Sequence, residues 1–274
     1  MIRIDQQTFE QIITTAIRSS ADVFESMSVY LNTAELKIKN EFLGSRLCES
    51  FDNLPATVQT EARKAICLEA FYIAIPFLDL VLTPTGFGVV SNTNVAPASK
   101  ERVAALSAMV KNCRDNALDN LLVALHTEVE EWKSVPVARF QIASLYWTAE
   151  HLRTYAGMPD AVRTDLLKLR PRIAEAEESF RTAISSVYFE ALLTAIRNNT
   201  LSDDDALIVL RLREALGVYL SDSPVVFRKK VDRVVETLEN DADKYALYKD
   251  SEAYKVRHLE RYKNEKDDTT YFFG

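Results

Sequence analysis

The side chains that most often carry catalysis or hold metals are few and widely spaced in this chain. Its 274 residues contain three histidines, His126, His151 and His258. None has a second ligand-type residue at a spacing typical of metal sites. His151 follows Trp147 by four residues on one predicted helix, which favours a histidine at the edge of the core over a metal ligand. No nucleophile elbow or cysteine-based signature is present. We therefore predict no catalytic residue, no metal site and no cofactor.

Two short motifs resemble a magnesium site and a phosphate-binding loop. A purely structural role explains each of them more simply. The triple aspartate at 203–205 follows Ser202 at a predicted helix start, where acidic side chains complement the helix dipole. A magnesium-dependent all-α enzyme would place such aspartates well inside a helix that faces a cavity. The Gly-Phe-Gly at 86–88 is too short for a phosphate loop and is followed by residues typical of strands. An all-α enzyme is therefore the least favoured of our hypotheses.

Cysteine usage and the N-terminus indicate the compartment. The chain has three cysteines, Cys48, Cys67 and Cys113. Their odd number and wide separation within helix-like apolar patterns favour reduced thiols in the core of a cytoplasmic protein. Asp5 and Glu10 interrupt the apolar run that a secretion signal needs. The uncharged stretch at 80–99 has about the length of a membrane span, but its prolines and glycines argue against a lipid-embedded helix. We expect no membrane partner.

Glycine and proline are scarce. The chain has 6 Gly and 8 Pro, less than half of the usual combined share of about 12%. Because tight turns and contacts between backbone and phosphate need glycine, nucleotide-binding folds and multi-stranded sandwiches are disfavoured. Hydrophobic residues make up 47% of the chain, enough to bury a core. The composition predicts a mainly α protein, a bundle of long helices joined by few turns.

The charge balance is acidic. Lys and Arg number 33 against 40 Asp and Glu, which gives a formal net charge of -7. Because non-specific nucleic-acid binding depends on a positive field, we predict no specific nucleic-acid partner. An acidic surface is compatible with DNA that passes nearby. One basic run is interpreted as a solvated helix face, with a contact to nucleic acid or an acidic subunit as the alternative. It comprises Arg228, Lys229, Lys230 and Arg233.

Apolar residues recur at helical intervals along most of the chain. Helices are predicted over about 8–18, 23–47 with an interruption near Asn32-Thr33, 56–80 with a bend at Pro76, 99–132, 136–157, 160–169, 172–198, 202–220 and 224–240. Beyond Asn240 the pattern loosens. We divide the chain into an N-terminal helical region, 1–134, and a C-terminal helical region, 135–274, with one continuous helical body as the alternative.

One segment lacks the helical pattern. Residues 80–99 carry no charge and hold two of the glycines and two of the prolines. Strand formers are followed by turn formers, which predicts a β-hairpin or ordered loop at about 83–97 between two long helices. We favour a tip that projects to contact a partner over a loop folded back on its own bundle. The predicted contact residues are Thr85, Gly86, Phe87, Gly88, Val89, Val90, Ser91, Asn92, Asn94 and Val95.

The end of the chain, about 264–274, is a second predicted contact. A charged and polar run precedes Tyr271, Phe272 and Phe273. Two hypotheses remain for this segment: a frayed terminus, or an aromatic anchor that binds a neighbouring molecule.

The string LVLTPTGFGVVSNTNVAPASKERV, residues 80–103, resembles the signature of an uncharacterised family of proteins encoded by phages and prophages of Bacteroidetes-type bacteria. The preceding helix, LPATVQTEARKAICLEAFYIAIPFLDL, is also similar to that family, so the resemblance covers about residues 54–104. It implies a structural role in the virion. The order helix, hairpin, helix resembles small helical head-tail connector proteins that form rings beneath the portal.

The expected function is that of a non-enzymatic virion structural protein, a head-tail connector or neck subunit that acts through oligomeric contacts. Its expected partners are copies of itself and other virion proteins (portal, connector or tail). It would be cytoplasmic during assembly and then part of the virion. A helical scaffold or regulatory binding module of the host is the competing hypothesis.

Overall fold

The computed structural model describes residues 2–13, 21–78, 81–83, 86–88 and 99–259. Helices make up most of these residues, so the predicted mainly α fold is confirmed. Within the described ranges, no helix is both long and apolar enough to span a membrane.

The α-helices are α1 (Gln6–Ile12), α2 (Ala21–Ile38), α3 (Ser45–Glu49), α4 (Ala56–Leu78), α5 (Lys100–Glu128), α6 (Pro136–Gln141), α7 (Ala149–Tyr155), α8 (Arg163–Ile184), α9 (Ser186–Asn198), α10 (Asp203–Leu220), α11 (Pro224–Asn240), α12 (Ala246–Lys249) and α13 (Glu252–Arg257). A π-helix (Lys39–Leu43) continues α2. Short 3-10 helices cover Phe51–Asn53, Glu130–Ser134 and Ala242–Lys244.

The N-terminal region is built on α4, which packs against both α2 and α5. Small side chains at Ala62, Ala65, Ala70 and Ala74 are fully buried along α4 and leave room for its neighbours to approach closely.

In the C-terminal region α10 packs against α7, α8 and α11. Gly217 is required there, because a Cβ at this position would lie 2.0 Å from the carbonyl oxygen of Tyr155.

Side chains of both regions belong to one continuous hydrophobic core. Within the N-terminal region, Trp132 is fully buried after α5 and donates from Nε1 to the carbonyl oxygen of Phe42 at 2.6 Å. Across the boundary between the regions, the Nε2 atom of His126 lies 2.8 Å from the carbonyl oxygen of Ile196. This contact joins the regions, and the division at 134/135 stays a prediction.

Three predictions in the first 40 residues are wrong. Helix α1 does not begin at Thr8, because Asp5 caps it by accepting a hydrogen bond from the Thr8 backbone N–H at 2.7 Å. The predicted end near 18 is also wrong, because α1 ends at Ile12 and Ile13 has a non-helical backbone (φ -98, ψ 76). Helix α2 is continuous through Asn32 and Thr33. The Thr33 hydroxyl donates back to the Val29 carbonyl at 3.1 Å, which lets this residue sit inside a helix.

The predicted helix 136–157 is two helices in the structure. Helix α6 ends at Gln141 and α7 begins at Ala149. The buried carboxylate of Glu177 stabilises the segment between them, since it accepts from the Leu145 backbone N–H and the Ser144 hydroxyl, both at 2.8 Å. Gly157 follows α7 with φ 66, as expected for a helix end.

The two helices predicted at 160–169 and 172–198 are not separated at Pro171. Helix α8 runs from Arg163 through Pro171 to Ile184, and the break comes at Ser185, whose φ is 99. Pro171 deprives the carbonyl of Leu167 of its helical donor, but Leu167 is exposed, so water can supply the hydrogen bond. The predictions of helices that begin after Ser202 and at Pro224 are confirmed, and the Ser202 hydroxyl caps α10.

Two short strands follow α4. Val81–Thr83 and Gly86–Gly88 pair antiparallel, with Leu82 opposite Phe87. The first of these strands begins before the segment predicted as a hairpin or ordered loop. Residues 84–85 and 89–98 lie outside the described residues, so the hairpin predicted at about 83–97 stays a prediction.

Candidate functional site

The predicted contact residues are placed only in part. Gly86, Phe87 and Gly88 form the second short strand. Thr85, Val89 to Asn92, Asn94, Val95 and Tyr271 to Phe273 lie outside the described residues. Their roles stay predictions, and the surfaces described below were not among the sequence-based candidates.

A cleft of about 450 Å³ lies where the N-terminal and C-terminal regions meet. One side comes from the end of α2, the π-helix and α5, and the other comes from α6 and α8. We call it the arginine cleft after its basic lining residues, Lys37, Arg114, Arg163 and Arg170.

Arg163 is held by the opposite wall of the cleft. It is buried, and its Nη1 atom lies 2.6 Å from the Oδ1 atom of Asp119 on α5. The other Asp119 oxygen accepts from the Ala149 backbone N–H at 2.7 Å, which fixes the start of α7. Burial raises the pKa of Asp119, while the charge of Arg163 opposes that rise. The pair therefore ties α5 to α7 and α8, and leaves neither charge free.

Arg114 and Lys37 are also paired. Two guanidinium nitrogens of Arg114 donate to Asp115 Oδ1, at 2.6 and 2.9 Å, and the other Asp115 oxygen accepts from the Thr164 backbone N–H at 2.9 Å. Lys37 Nζ lies 2.7 Å from the buried Glu69 carboxylate, which Arg114 approaches from the other side at 3.4 Å. These ion pairs and hydrogen bonds link α2, α4, α5 and α8.

Arg170 differs from the other three. It is exposed at the cleft and, within the described part of the chain, makes no hydrogen bond or ion pair. Burial of part of the side chain and the positive charge of Arg163 both lower its pKa. Glu41, also exposed, is the other unpaired charge on the lining, and it is not among the groups that shift the pKa of Arg170.

Apolar side chains stand beside this unpaired arginine. Phe140 on α6 is 73% exposed and Leu167 on α8 is 44% exposed, and both line the cleft. A large aromatic ring at that exposure leaves most of its apolar area in water. The cleft thus combines a free cation with an apolar rim.

The sequence does contain a signal for this cleft. Asp115 and Asp119 are four residues apart and lie among buried leucines and alanines on α5. Arg163 and Arg170 are seven residues apart, which places them on one side of α8. Charges inside an apolar stripe indicate buried ion pairs, a pattern distinct from the spacings of catalytic and metal sites.

A second surface, the C-terminal groove, is a cavity of about 780 Å³ between the α8–α9 junction and helices α12 and α13. Three exposed aliphatic side chains line it: Val187 (66% exposed), Val256 (58%) and Leu247 (48%). Both of its arginines are hydrogen-bonded within the fold, and of the two only Arg181 has a carboxylate partner among the described residues. Arg181 lies 2.8 Å from Glu190, and Arg257 donates to the Ala183 carbonyl at 2.7 Å.

The histidines do not form a catalytic arrangement. The rings of His151, Tyr146 and Tyr155 cluster together, with the His151 centroid 5.6 and 6.4 Å from those of the two tyrosines, and His151 Nδ1 contacts Thr148. Burial, helped by the charge of Arg213, lowers the pKa of His151 to about 3. A neutral, stacked imidazole at the core boundary agrees with the interpretation made from the sequence.

The cysteine and aspartate interpretations can also be compared with the structure. Cys48 and Cys67 are buried free thiols, but Cys113 is exposed, so the core interpretation is wrong for Cys113. Burial raises the pKa of Cys67 to about 12. Asp205 accepts from the Tyr188 hydroxyl at 2.7 Å and belongs to the start of α10. No group of three or more His, Cys, Asp or Glu within the described ranges is placed to hold a metal ion.

Comparison with known proteins gives one similarity. Residues 20–139 match a family described as "Family of unknown function (DUF6712)". The match covers less than half of the chain and ends before α8, so it includes one wall of the arginine cleft. Searches of curated proteins and of solved structures gave no match.

Proposed function

We propose that this chain is a non-enzymatic structural subunit of a phage or prophage particle, a head-tail connector or neck protein. It would act through contacts with copies of itself and with portal, connector or tail proteins, in the cytoplasm during assembly and then in the virion. The resemblance of residues 54–104 supports the viral assignment. The exposed apolar lining of the C-terminal groove supports assembly through contacts.

The groove has the properties of a contact surface. Val187, Leu247 and Val256 keep 66%, 48% and 58% of their surface in water while lining one cavity. Clustered exposed apolar side chains are typical of interaction sites. Burial of one such side chain contributes about 1.5–3 kcal/mol. We propose an apolar face of a neighbouring subunit as its occupant, and the hairpin predicted at 83–97 as a separate contact.

A matched pair of substitutions tests the groove. Val187→Asp places a charge in the proposed interface and should reduce self-assembly of the purified chain at least tenfold, measured by sedimentation velocity over a range of concentrations. Val29→Asp is the control, since Val29 is 67% exposed on α2, outside the groove. Equal assembly of the two variants would exclude the groove as a contact.

The viral assignment has its own test. In the strain that encodes the chain, particles would be induced, purified on a density gradient and quantified by mass spectrometry. We expect the chain at a fixed ratio to the portal protein, and unjoined heads and tails when its gene is deleted. Its absence from particles that assemble normally without it would favour the host scaffold hypothesis.

A further inference from the structure

We propose that the arginine cleft binds the acidic and aromatic segment Asp267–Phe273 of a second copy of this chain. This inference rests on the proposed function, because it names a contact by which copies would assemble. Four properties of the cleft and the segment support it.

The first property is an unsatisfied positive charge. Arg163 is neutralised by Asp119, but Arg170 has no acidic partner within the described residues and lies within electrostatic reach of Arg163. A guanidinium presents a planar set of N–H donors that matches a carboxylate. An incoming carboxylate would pair with Arg170 and offset the repulsion between the two arginines.

The second property is the apolar rim. Phe140 and Leu167 line the same cleft and expose 73% and 44% of their surface. A free phosphate would satisfy Arg170 and leave both side chains in water. A segment with an aromatic residue a few positions from a carboxylate would cover all three. The cleft therefore favours a peptide over a small anion.

The third property is the composition of the tail. Asp267 and Asp268 precede Tyr271, Phe272 and Phe273 by three to six residues, which places carboxylates and rings within about 20 Å even in an extended chain. The C-terminal groove is a poorer acceptor, because Arg181 is ion-paired with Glu190, Arg257 already donates to the Ala183 carbonyl, and the lining includes Asp250 and Glu252 beside Lys255. The two acidic side chains would repel the aspartates of the tail.

The fourth property concerns reach. Arg257 contacts Ala183 near the end of α8, and Arg170 lies 13 residues earlier, about 20 Å along the helix axis. A chain of fifteen residues, the number that follows Leu259, spans at most about 50 Å, which exceeds the distance along α8. Insertion of a segment from one copy into a cleft of the next is a heterologous contact, and such contacts form a ring where the rotation between copies closes.

Peptide binding tests the inference apart from the virion assignment. A fluorescein-labelled peptide of residues 260–274 would be titrated with the full chain and followed by anisotropy. We expect saturable binding that Arg170→Glu weakens at least tenfold, and that recovers when the Arg170→Glu chain meets a peptide carrying Asp267→Lys and Asp268→Lys. Arg228→Glu, the same charge change at an exposed position on α11, should leave binding unchanged.

Three outcomes would overturn the inference. The first is no saturable binding up to about 1 mM protein. The second is equal binding of a peptide in which both aspartates are asparagine and the three aromatic residues are serine. The third is a combination of two results: the intact chain is monomeric at all concentrations, and the peptide binds only to a chain from which residues 260–274 have been deleted. That combination would mean that the segment occupies the cleft of its own chain. Circular dichroism of each variant checks that it is folded.

Discussion

Helix α8 carries two arginines, Arg170 and Arg181, that differ in what surrounds them. They are eleven residues, or about three turns, apart and so lie on one side of the helix. Arg181 lies 2.8 Å from Glu190 and 4.6 Å from the centroid of the Phe189 ring. Arg170 faces the arginine cleft with no partner in the part of the chain that the structure describes.

The difference separates a structural from a binding role. A paired arginine has its donors satisfied within the fold and links two elements, in this case α8 and α9. An unpaired arginine next to another arginine gains nothing from the fold, so its charge is available to another molecule. The same reasoning makes Arg163 structural, although it lines the cleft.

The largest expected effect is on the buried pair that supports the cleft. Asp119→Ala removes the partner of Arg163 and leaves a buried guanidinium without a counter-charge. We expect the free energy of unfolding to fall by about 3–5 kcal/mol, as found when one member of a buried pair is deleted. Urea denaturation measures it. Asp232→Ala, at an exposed position on α11, is the control, and an equal small loss in both variants would contradict a structural role for the pair.

A smaller effect is expected when the pH is lowered, because the fold keeps the imidazole of His151 neutral. The quantity that changes is the free energy of unfolding. The pKa of His151 is lowered from 6.5 to about 3 by folding. Between these two values His151 is protonated in the unfolded chain and neutral in the folded chain. Stability should therefore fall as the pH drops from about 6.5 towards 3. The contribution at pH 5 is about 2 kcal/mol, from 1.36 kcal/mol per unit.

His151→Phe keeps a ring beside Tyr146 and Tyr155 and removes this titration. The difference in unfolding free energy between pH 7 and pH 5 should then shrink by about 2 kcal/mol, measured by urea denaturation at both values. The control is Thr154→Val, which changes an exposed residue of the same helix and removes no titrating group. An unchanged pH dependence in His151→Phe would show that this histidine is protonated in the folded chain.

The smallest effect compares the two arginines directly. Arg181→Ala should lower the free energy of unfolding by about 1 kcal/mol, because it loses a partly exposed ion pair and the contact with Phe189. Arg170→Ala should change it by less than about 0.5 kcal/mol, as is usual for a surface substitution without a broken contact. A larger loss for Arg170→Ala than for Arg181→Ala would mean that Arg170 has a structural partner.

Local signals allowed much of the helical plan to be predicted from sequence. Ser202 and Pro224 mark helix starts through chemistry confined to a few residues, and Gly157 marks an end. Pro171 misled the prediction, because its cost depends on whether the carbonyl of Leu167 can reach water. Ser185 caps α9 as Ser202 caps α10, since its hydroxyl accepts from the Tyr188 backbone N–H, but a serine inside an unbroken apolar pattern does not by itself predict a break.

The arginine cleft was harder to predict because it depends on long-range pairing. Asp119 and Arg163 are 44 residues apart, and nothing near either residue reveals the other. Which arginine remains unpaired follows only once the partners are placed. The acidic and aromatic tail was visible in the sequence, but its acceptor was not.

The most direct test uses intact chains and asks whether Arg170 and the tail aspartates compensate for each other. Self-association would be measured by sedimentation equilibrium for the wild type, Arg170→Glu, the double variant Asp267→Lys with Asp268→Lys, and the chain that carries all three changes. We predict that each change alone weakens association at least tenfold and that the combination restores most of it. A combined variant no stronger than either parent, or no association in the wild type up to about 100 µM, would contradict assembly through the arginine cleft.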